Sequence, residues 1–439
     1  MGLLSATMAL SLVACGGGAS VATDGDGTTA SAGKSTGDER GATGAVAGQG
    51  ESTGQGTTAS DATATEVTAT DMFTERDLKQ AADTSNAKTI DLADGQDVQV
   101  TEDGTYVIRG TAKDASVIVD APDDAKVQIV LDSVSITNTD SPAIYVKNAD
   151  KTFVTTAENT ENAVKVTGTF VADGETNTDG AIFAKDDLTL NGLGKLIVES
   201  TDNGIVCKND LRITGGSYEI DATGHAVQAQ DSIAIADGTL SVTAGTDGIH
   251  AKDSDDDTKG LVYIGGGSLS ISAGSDGIQA TTFLQVDGGT LDITASEGME
   301  ATQVRINGGS IGINASDDGI NATTKSASVG TPSIEINDGK LTLSIGQGDT
   351  DALDTNGDLT INGGTVDITA QSAFDCDGKA SLTGGTVTVN GEQVSEITNS
   401  MMMGGGGRGG MMGGGGRGQM MGDQGAGGMV PGGQVSPTA

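Results

Sequence analysis

Acidic side chains recur at one place in a repeated motif of this 439-residue chain, and regularly spaced carboxylates can bind metal ions. Residues 275–322 read SDGIQATTFLQVDGGTLDITASEGMEATQVRINGGSIGINASDDGINA, where Asp-Gly or Glu-Gly precedes an apolar residue in each cycle. Calcium prefers oxygen ligands and accepts six to eight of them in loose geometry. The chemistry that this pattern predicts is the binding of a hard divalent cation.

The apolar residues after these turns define a repeat of about 22 residues. Subtraction of their numbers gives intervals of 23, 22, 22, 29, 21, 21, 33 and 21 residues for the series Ile182, Ile205, Val227, Ile249, Ile278, Met299, Ile320, Leu353 and Phe374. Each cycle holds three short segments of alternating apolar residues, which predicts three strands per coil. Residues 88–398 are therefore predicted to be all-β, a right-handed parallel β-helix, three-sided with about 22 residues per coil.

Coils about 4.8 Å apart would stack equivalent side chains above one another. The outward position beside each anchor then forms a ladder of Phe183, Val206, Gln228, His250, Gln279, Glu300, Asn321, Asp354 and Asp375. At that spacing two like charges repel by about 3 to 4 kcal/mol at an effective dielectric constant of 20, and a calcium ion removes this penalty. We predict calcium ligands at Asp247, Asp276, Glu297, Glu300, Asp317, Asp318, Asn321, Asp349, Asp351, Asp354 and Asp375. Gln228, His250 and Gln279 are predicted to face the ligand.

A simpler interpretation of the acids stays open. Asp is a favourable residue before Gly in a turn, and charged outer faces are usually only solvated. The neighbouring ladder is also rich in oxygen, which turn chemistry does not require, and this favours the metal site.

His225 and His250 are the only histidines, so a zinc site is not predicted. Cys207 and Cys376 fall seven cycles apart, which predicts two free, buried thiols.

The two ends of the chain have the composition of targeting and low-complexity segments. Residues 1–15, MGLLSATMALSLVAC, resemble a lipoprotein signal peptide whose lipobox ends at Cys15, the expected lipidation site. Residues 16–87 are predicted to be a flexible tether rich in Gly, Ser, Thr and Ala, and residues 399–439 a disordered Met/Gly-rich tail. We expect an extracytoplasmic protein, anchored to the cell membrane by lipid on Cys15 and displayed at the cell surface.

The net charge of −38 limits the partners that the chain can have. Nucleic acid is excluded as a partner because its phosphates would be repelled, whereas cations and ligands bridged by cations are favoured. We expect the chain to be a monomer.

Several ordered segments resemble a known family. They are GTYVIRG, VQIVLDSVSI, SPAIYVKNADK and GAIFAKDDLTLNG, followed by repeats of DGI-x-A and GG-x-L-x-I, and they cover about residues 100–390. The resemblance is to the calcium-containing, β-helical carbohydrate-binding domains of bacterial surface proteins, whose fold is similar to that of pectate lyases. It implies a non-catalytic lipoprotein that binds polysaccharide, either acidic such as polygalacturonate or a cellulose-like glucan, through a calcium-bearing acidic face.

Two other functions remain open. A calcium-dependent polysaccharide lyase needs a base near the metal, for which Lys185, Lys208 and Lys252 are the candidates. The same lysines would also serve as solvated residues that offset the acidic ladder. A structural spacer or adhesin would need only the rod shape.

Overall fold

The protein is described by a computed structural model over residues 67–348 and 350–398. The described residues do not include residues 1–66, which contain Cys15, nor Asp349, nor the predicted tail at 399–439. Within the described ranges there are one short helix, α1 (Ala69–Met72), and 36 strands. No helix in these ranges is both long enough and apolar enough to cross a bilayer.

The strands are short, and most contain three to six residues. The first eighteen are β1 (Lys88–Asp91), β2 (Val98–Val100), β3 (Gly104–Lys113), β4 (Val117–Asp120), β5 (Lys126–Asn138), β6 (Ile144–Asn148), β7 (Lys151–Thr156), β8 (Glu161–Val166), β9 (Gly180–Ala184), β10 (Asp187–Gly192), β11 (Lys195–Ser200), β12 (Asn203–Cys207), β13 (Asp210–Ile213), β14 (Ser217–Ala222), β15 (Val227–Ala229), β16 (Ser232–Ile235), β17 (Thr239–Ala244) and β18 (Ile249–Ala251). The others are β19 (Leu261–Ile264), β20 (Ser268–Ala273), β21 (Asp276–Ala280), β22 (Phe283–Val286), β23 (Thr290–Ala295), β24 (Glu297–Ala301), β25 (Gln303–Ile306), β26 (Ser310–Ala315), β27 (Ile320–Ala322), β28 (Ser333–Ile336), β29 (Lys340–Ile345), β30 (Asp351–Thr355), β31 (Asp358–Ile361), β32 (Thr365–Thr369), β33 (Ser372–Cys376), β34 (Ala380–Leu382), β35 (Thr386–Val389) and β36 (Glu392–Val394).

These strands stack in three columns, because from β6 to β32 each pairs in parallel with the strand three places further along the chain. Column 1 holds β2, β4, β6 and then every third strand from β9 to β33. Column 2 holds every third strand from β7 to β34, and column 3 every third strand from β8 to β35. The long strands β3 and β5 join columns 2 and 3 into one 24-stranded sheet, and β36 closes the end by pairing antiparallel to β35. The predictions of an all-β chain and of stacked parallel coils are confirmed.

Side chains that point into the coils form one apolar core along the stack. In one coil Ile278 on β21, Leu284 on β22 and Ile293 on β23 are completely buried, as the period-two pattern predicts. Cys207 and Cys376 are buried in the same core as free thiols, which confirms that prediction. Burial raises the pKa of Cys207 to about 12, so this thiol is kept in its protonated form.

Glycine sits at the start of the column 1 strands because adjacent coils approach too closely there for any side chain. A Cβ on Gly277 would lie 2.3 Å from Ile293 Cγ2 and 2.6 Å from the Gly298 carbonyl oxygen. A Cβ on Gly298 would lie 2.3 Å from the Gly319 carbonyl oxygen. These contacts are too short for real Cβ atoms, so the close approach of the coils selects glycine and fixes the acid before it at coil spacing.

Residues 67–87, which composition assigns to the flexible tether, form a strap along the outer face of column 2. Val67 N–H donates to Gln285 at 3.2 Å, Arg212 Nε donates to the Met72 carbonyl at 2.7 Å, and Gln80 Nε2 donates to the Thr214 carbonyl at 2.8 Å. The strap therefore crosses several coils. The few apolar residues of the strap show no periodicity that would predict it. Hydrogen bonds hold it, together with the contact of the Phe73 and Tyr263 rings, whose centroids are 6.1 Å apart.

Asp77 anchors this strap. Its side chain is 1% exposed, and its Oδ1 lies 2.8 Å from Lys151 Nζ and accepts a hydrogen bond from Thr189 Oγ1 at 2.7 Å. Burial by itself would raise the pKa of Asp77, but hydrogen bonds from Lys151, Thr74 and Thr189 outweigh it and lower the pKa from 3.8 to about 2.

Replacing Asp77 by Ala should release the strap, because Lys151 would lose its partner while remaining largely buried. Breaking such a pair costs about 3 kcal/mol, and hydrogen–deuterium exchange of residues 67–87 should accelerate accordingly. In the parent the same stabilisation is present above about pH 4 and is lost as the pH falls toward 2. Glu75→Gln, at an exposed position of the strap, is the control. Unchanged protection in Asp77→Ala would contradict this anchor.

Candidate functional site

The outward ladder of column 1 is in register over its full length. Val206 pairs with Phe183 and Gln228, Gln228 with His250, and His250 with Gln279. Glu300, Asn321, Asp354 and Asp375 continue the same line. Backbone pairing alone therefore places side chains from nine coils of this ladder one above another.

The upstream end of the ladder is closed to ligands. Phe183 and Val206 are completely buried in a small apolar cluster with Tyr145, although they point away from the main core. The Tyr145 hydroxyl donates to Asp173 Oδ2 at 3.1 Å, so the loop that carries Asp173 folds over this face. The outward direction of Phe183 is as the sequence indicates, but the loop leaves no part of its ring exposed for a ligand.

Three acids from successive coils form a central acidic cluster, which consists of Asp276, Glu297 and Glu300. One carboxylate oxygen of each lies within 4.8 Å of the others, and Asp276 and Glu300 are buried. Gln279 Nε2 donates to Asp276 at 2.7 Å and to Glu300 at 2.9 Å. Lys325 Nζ pairs with Glu300, so one ammonium group faces three carboxyl groups.

Two acids of the cluster, Asp276 and Glu297, have raised pKa values. Burial, followed by the charges of Asp247 and Glu300, raises the pKa of Asp276 to about 7. Burial and the charges of Glu300 and Asp276 raise the pKa of Glu297 to about 7. Acids that retain protons because charges crowd together are the groups that a bound cation would ionise.

Further along the ladder lies a looser terminal acidic group of Asp318, Asp351, Asp354 and Asp375. The Asp351 N–H donates to Asp318 Oδ1 at 2.7 Å, and the Ser372 hydroxyl donates to Asp351. Burial and the charges of Asp318 and Asp375 raise the pKa of Asp354 to about 7. Asp377, which the sequence analysis did not select, adds a further negative charge there.

The remaining predicted ligands lie apart from one another. Asn321 Nδ2 donates to Glu297 at 3.3 Å, next to the central acidic cluster. Asp317 is half-buried, and its backbone N–H donates to the Ser296 carbonyl at 2.9 Å. Asp247 is grouped with His225 and His250 rather than with the central carboxylates. Gln228 stays on the ladder beside His250.

A groove of about 610 Å³ opens beside the central acidic cluster. Its lining includes the predicted ligand-facing Gln279, Thr281 and the cluster's partner Lys325, together with Lys252 and the acidic segment 253–257. Gln279 and Lys325 thus line the groove and also contact acids of the cluster.

Two insertions of the repeat form the wall of this groove. They are residues 252–260, after β18, and residues 323–332, after β27, and they correspond to the long intervals of 29 and 33 residues. They meet across the intervening coils, where the Ser328 hydroxyl donates to Asp257 Oδ1 at 2.7 Å and the Ala327 N–H donates to Asp257 Oδ2 at 3.1 Å. Sequence reasoning missed Lys325, although the 33-residue interval marked the insertion that carries it.

The three lysines named as lyase candidates do not share one environment. Lys252 lines the groove. Lys208 lies over the buried Phe183, with Nζ 5.5 Å from the ring centroid. Lys185 follows β9 further up the stack. Among these three, Lys252 alone lines the groove next to the central cluster.

The stability of the chain without divalent metal should depend on the central acids between about pH 4 and pH 7. The native state binds protons that the unfolded chain has released in this range, so stability falls as the pH rises. Asp276→Asn with Glu297→Gln should flatten the melting temperature against pH, measured in EDTA. Asp292→Asn with Asp367→Asn removes two exposed acids of column 3 and should keep the parental slope. Equal slopes in the parent and the cluster variant would contradict the coupling.

Comparison with known proteins identifies the family of this chain. The family described as carbohydrate-binding domain-containing protein matches residues 94–352, more than half of the chain. A protein of that description from Acetivibrio thermocellus is 36% identical over 130 residues, which are 29% of this chain and 46% of the relative. The match thus spans about half the length of this relative. The solved structure of a polysaccharide lyase-like protein from C. thermocellum, a gadolinium derivative, aligns at a TM-score of 0.46 and 29% identity, covering 51% of this chain and 96% of that one. By the extent of the family match, this chain belongs to the carbohydrate-binding domain-containing proteins.

Proposed function

We propose that this chain binds acidic polysaccharide without cleaving it, in the groove between the two insertions, and that calcium is held by the central acidic cluster. The observation that carries the proposal is that Gln279 and Lys325 line the groove and also contact acids of the cluster. A sugar chain in the groove would therefore lie directly beside the proposed cation site.

The charges of the groove suit a polymer that carries carboxylates at regular intervals. Lys252 and Lys325 present ammonium groups, and Thr281 and Gln279 are lining residues with polar side chains for sugar hydroxyls. Asp253, Asp255 and Asp257 line the same groove and would repel a uronate chain unless cations lie between. A cation-bridged uronate polymer satisfies both sets of charges.

The donor atoms of the central acidic cluster fit calcium. Three carboxyl groups whose oxygens lie within 4.8 Å provide only hard oxygen ligands, and Asn321 next to them offers an amide oxygen after a side-chain flip. Asp276, Glu297 and Glu300 would hold the ion, and its positive charge would attract uronate carboxylates. Lys325 neutralises part of the cluster and competes for Glu300.

Binding of crystalline glucan is disfavoured by the described surface of the ladder. Sugar rings bind flat cellulose-binding surfaces by stacking on exposed aromatic faces. No aromatic residue is found among those that line the groove, and Phe183 is completely buried. We therefore favour the acidic class of polysaccharide over a cellulose-like glucan.

We also infer the hand of the coil, the oligomeric state of the chain and its location. We infer a right-handed winding, because parallel crossovers of that hand are strongly preferred. We also propose a monomer that is anchored in the cell membrane by lipid on Cys15 and exposed outside the cytoplasm.

Affinity electrophoresis through polygalacturonate tests the groove. With calcium the parent should be retarded, and EDTA should abolish the retardation. Lys252→Ala should weaken binding by about tenfold, the loss of one charge-assisted hydrogen bond, whereas Lys340→Ala at an exposed position of column 3 should not. Equal retardation of all three proteins, or none, would refute the assignment. Unsaturated uronides absorbing in the ultraviolet would instead identify a lyase.

Calcium titration of the full chain tests the cation site separately. Asp276→Asn with Glu297→Gln should remove about one tightly bound calcium per chain, whereas Asp292→Asn with Asp367→Asn should retain it. Lys325→Met should tighten calcium binding by about tenfold, because one competing positive charge is removed. Identical calcium content in the parent and the cluster variant would overturn the assignment of these ligands. The groove is tested separately, by the electrophoresis of Lys252→Ala.

A further inference from the structure

One coil before the central acidic cluster, two histidines and an aspartate from adjacent coils meet in a histidine cluster of His225, Asp247 and His250. His250 Nδ1 lies 2.6 Å and His225 Nδ1 lies 3.1 Å from the same oxygen, Asp247 Oδ2. The two imidazole rings stack with centroids 4.2 Å apart and planes at 28°. These are the only histidines of the chain, and the coil register brings both to one carboxylate.

The position of the histidine cluster is fixed by backbone contacts. Asp247 Oδ1 accepts a hydrogen bond from the Asp276 N–H at 3.1 Å, so the other carboxylate oxygen is left to face the two rings. The side chain of Asp247 is 7% exposed and that of His250 is 10% exposed, while His225 is 25% exposed. The site is therefore held from the core side and reachable from solvent on the His225 side.

Several polar groups converge on His225 Nδ1. The Thr246 hydroxyl lies 3.0 Å from this nitrogen and the Asp247 N–H lies 3.4 Å from it. Asp247 Oδ2 lies 3.1 Å from the same nitrogen, and a neutral imidazole without a hydrogen on Nδ1 would offer its lone pair beside this oxygen to a cation. In a tetrahedral zinc site with bonds of about 2.0 to 2.1 Å, ligand atoms are separated by about 3.3 Å.

The donor types also differ from those of the central acidic cluster. Imidazole nitrogen suits zinc and its transition-metal neighbours, whereas an all-oxygen set suits calcium. One donor atom from each of the three residues lies within 4.8 Å of the others, so small side-chain rotations would bring them to bonding distance. We propose that His225, Asp247 and His250 bind a divalent transition-metal ion of the zinc class, with a fourth position open toward solvent on the His225 side.

Zinc and cobalt binding to the full chain tests this site, with calcium in excess so that acidic sites are filled. The parent should bind one zinc that survives competition by calcium, and Co²⁺ should give the visible d–d absorption of a four-coordinate ion. His225→Gln and His250→Gln should each weaken zinc binding by at least about tenfold, consistent with the loss of one of three protein ligands. Asp276→Asn with Glu297→Gln should leave zinc binding unchanged, which separates this site from the proposed calcium site.

A stability measurement keeps the test valid if a variant folds poorly. Zinc should raise the melting temperature of the parent and not that of His225→Gln, whose side chain is partly exposed and whose metal-free melting temperature should match the parent. Zinc binding that is equal in the parent and both histidine variants, or a parent with no cobalt absorption, overturns the proposal.

Discussion

The parallel hydrogen bonding between successive coils is the constraint on which the rest of the structure depends. Each strand of column 1 pairs with the strand one coil away at a fixed register, from β2 to β33. A residue type that recurs once per repeat is thereby converted into a column of side chains at about 4.8 Å spacing. In the core this places Ile over Ile and Ala over Ala, whereas on the outer face it forces carboxyl groups together that isolated side chains would keep apart.

That crowding has different outcomes along one column because the neighbours differ. At Asp247 burial opposes ionisation, yet the two histidines and the Asp276 N–H hold the pKa of this carboxyl well below its usual range. One coil on, burial and then the charges of Asp247 and Glu300 raise the pKa of Asp276 to about 7. Burial lowers the pKa of His250 in spite of the Asp247 carboxylate, which favours the neutral imidazole. Identical backbone geometry therefore places a nitrogen-containing cluster and an all-oxygen cluster side by side.

The repeat itself could be predicted from the sequence because its signals are local. Two local patterns predict the coils: apolar residues that alternate with polar ones, as from Leu291 to Ile293, and the glycine before Ile278. Each can be recognised from a few neighbouring residues, and the register of the coils follows from them. Burial of Phe183 depends on a loop that folds back from outside the repeat, so alternation could give only its direction. The strap at 67–87 has no apolar periodicity, since buried polar contacts such as that of Asp77 hold it. His225 and His250 are 25 positions apart, and only the register of β15 and β18 shows that they meet.

The insertions set one part of the stack apart, and it is there that we propose the ligand binds. A regular coil presents a nearly flat outer face, which gives a ligand few groups to contact at once. The insertions after β18 and β27 enclose the two coils between them and meet through Asp257 and Ser328, so a concave surface is formed at no cost to the stacking of the coils. Those two coils carry Asp276, Glu297 and Glu300. The part of the ladder with the densest charge is thus also the part with a wall, and Lys325 reaches Glu300 from that wall. A length change in either insertion would alter the groove while leaving the acids in register, because the register is set by strand pairing outside the insertions.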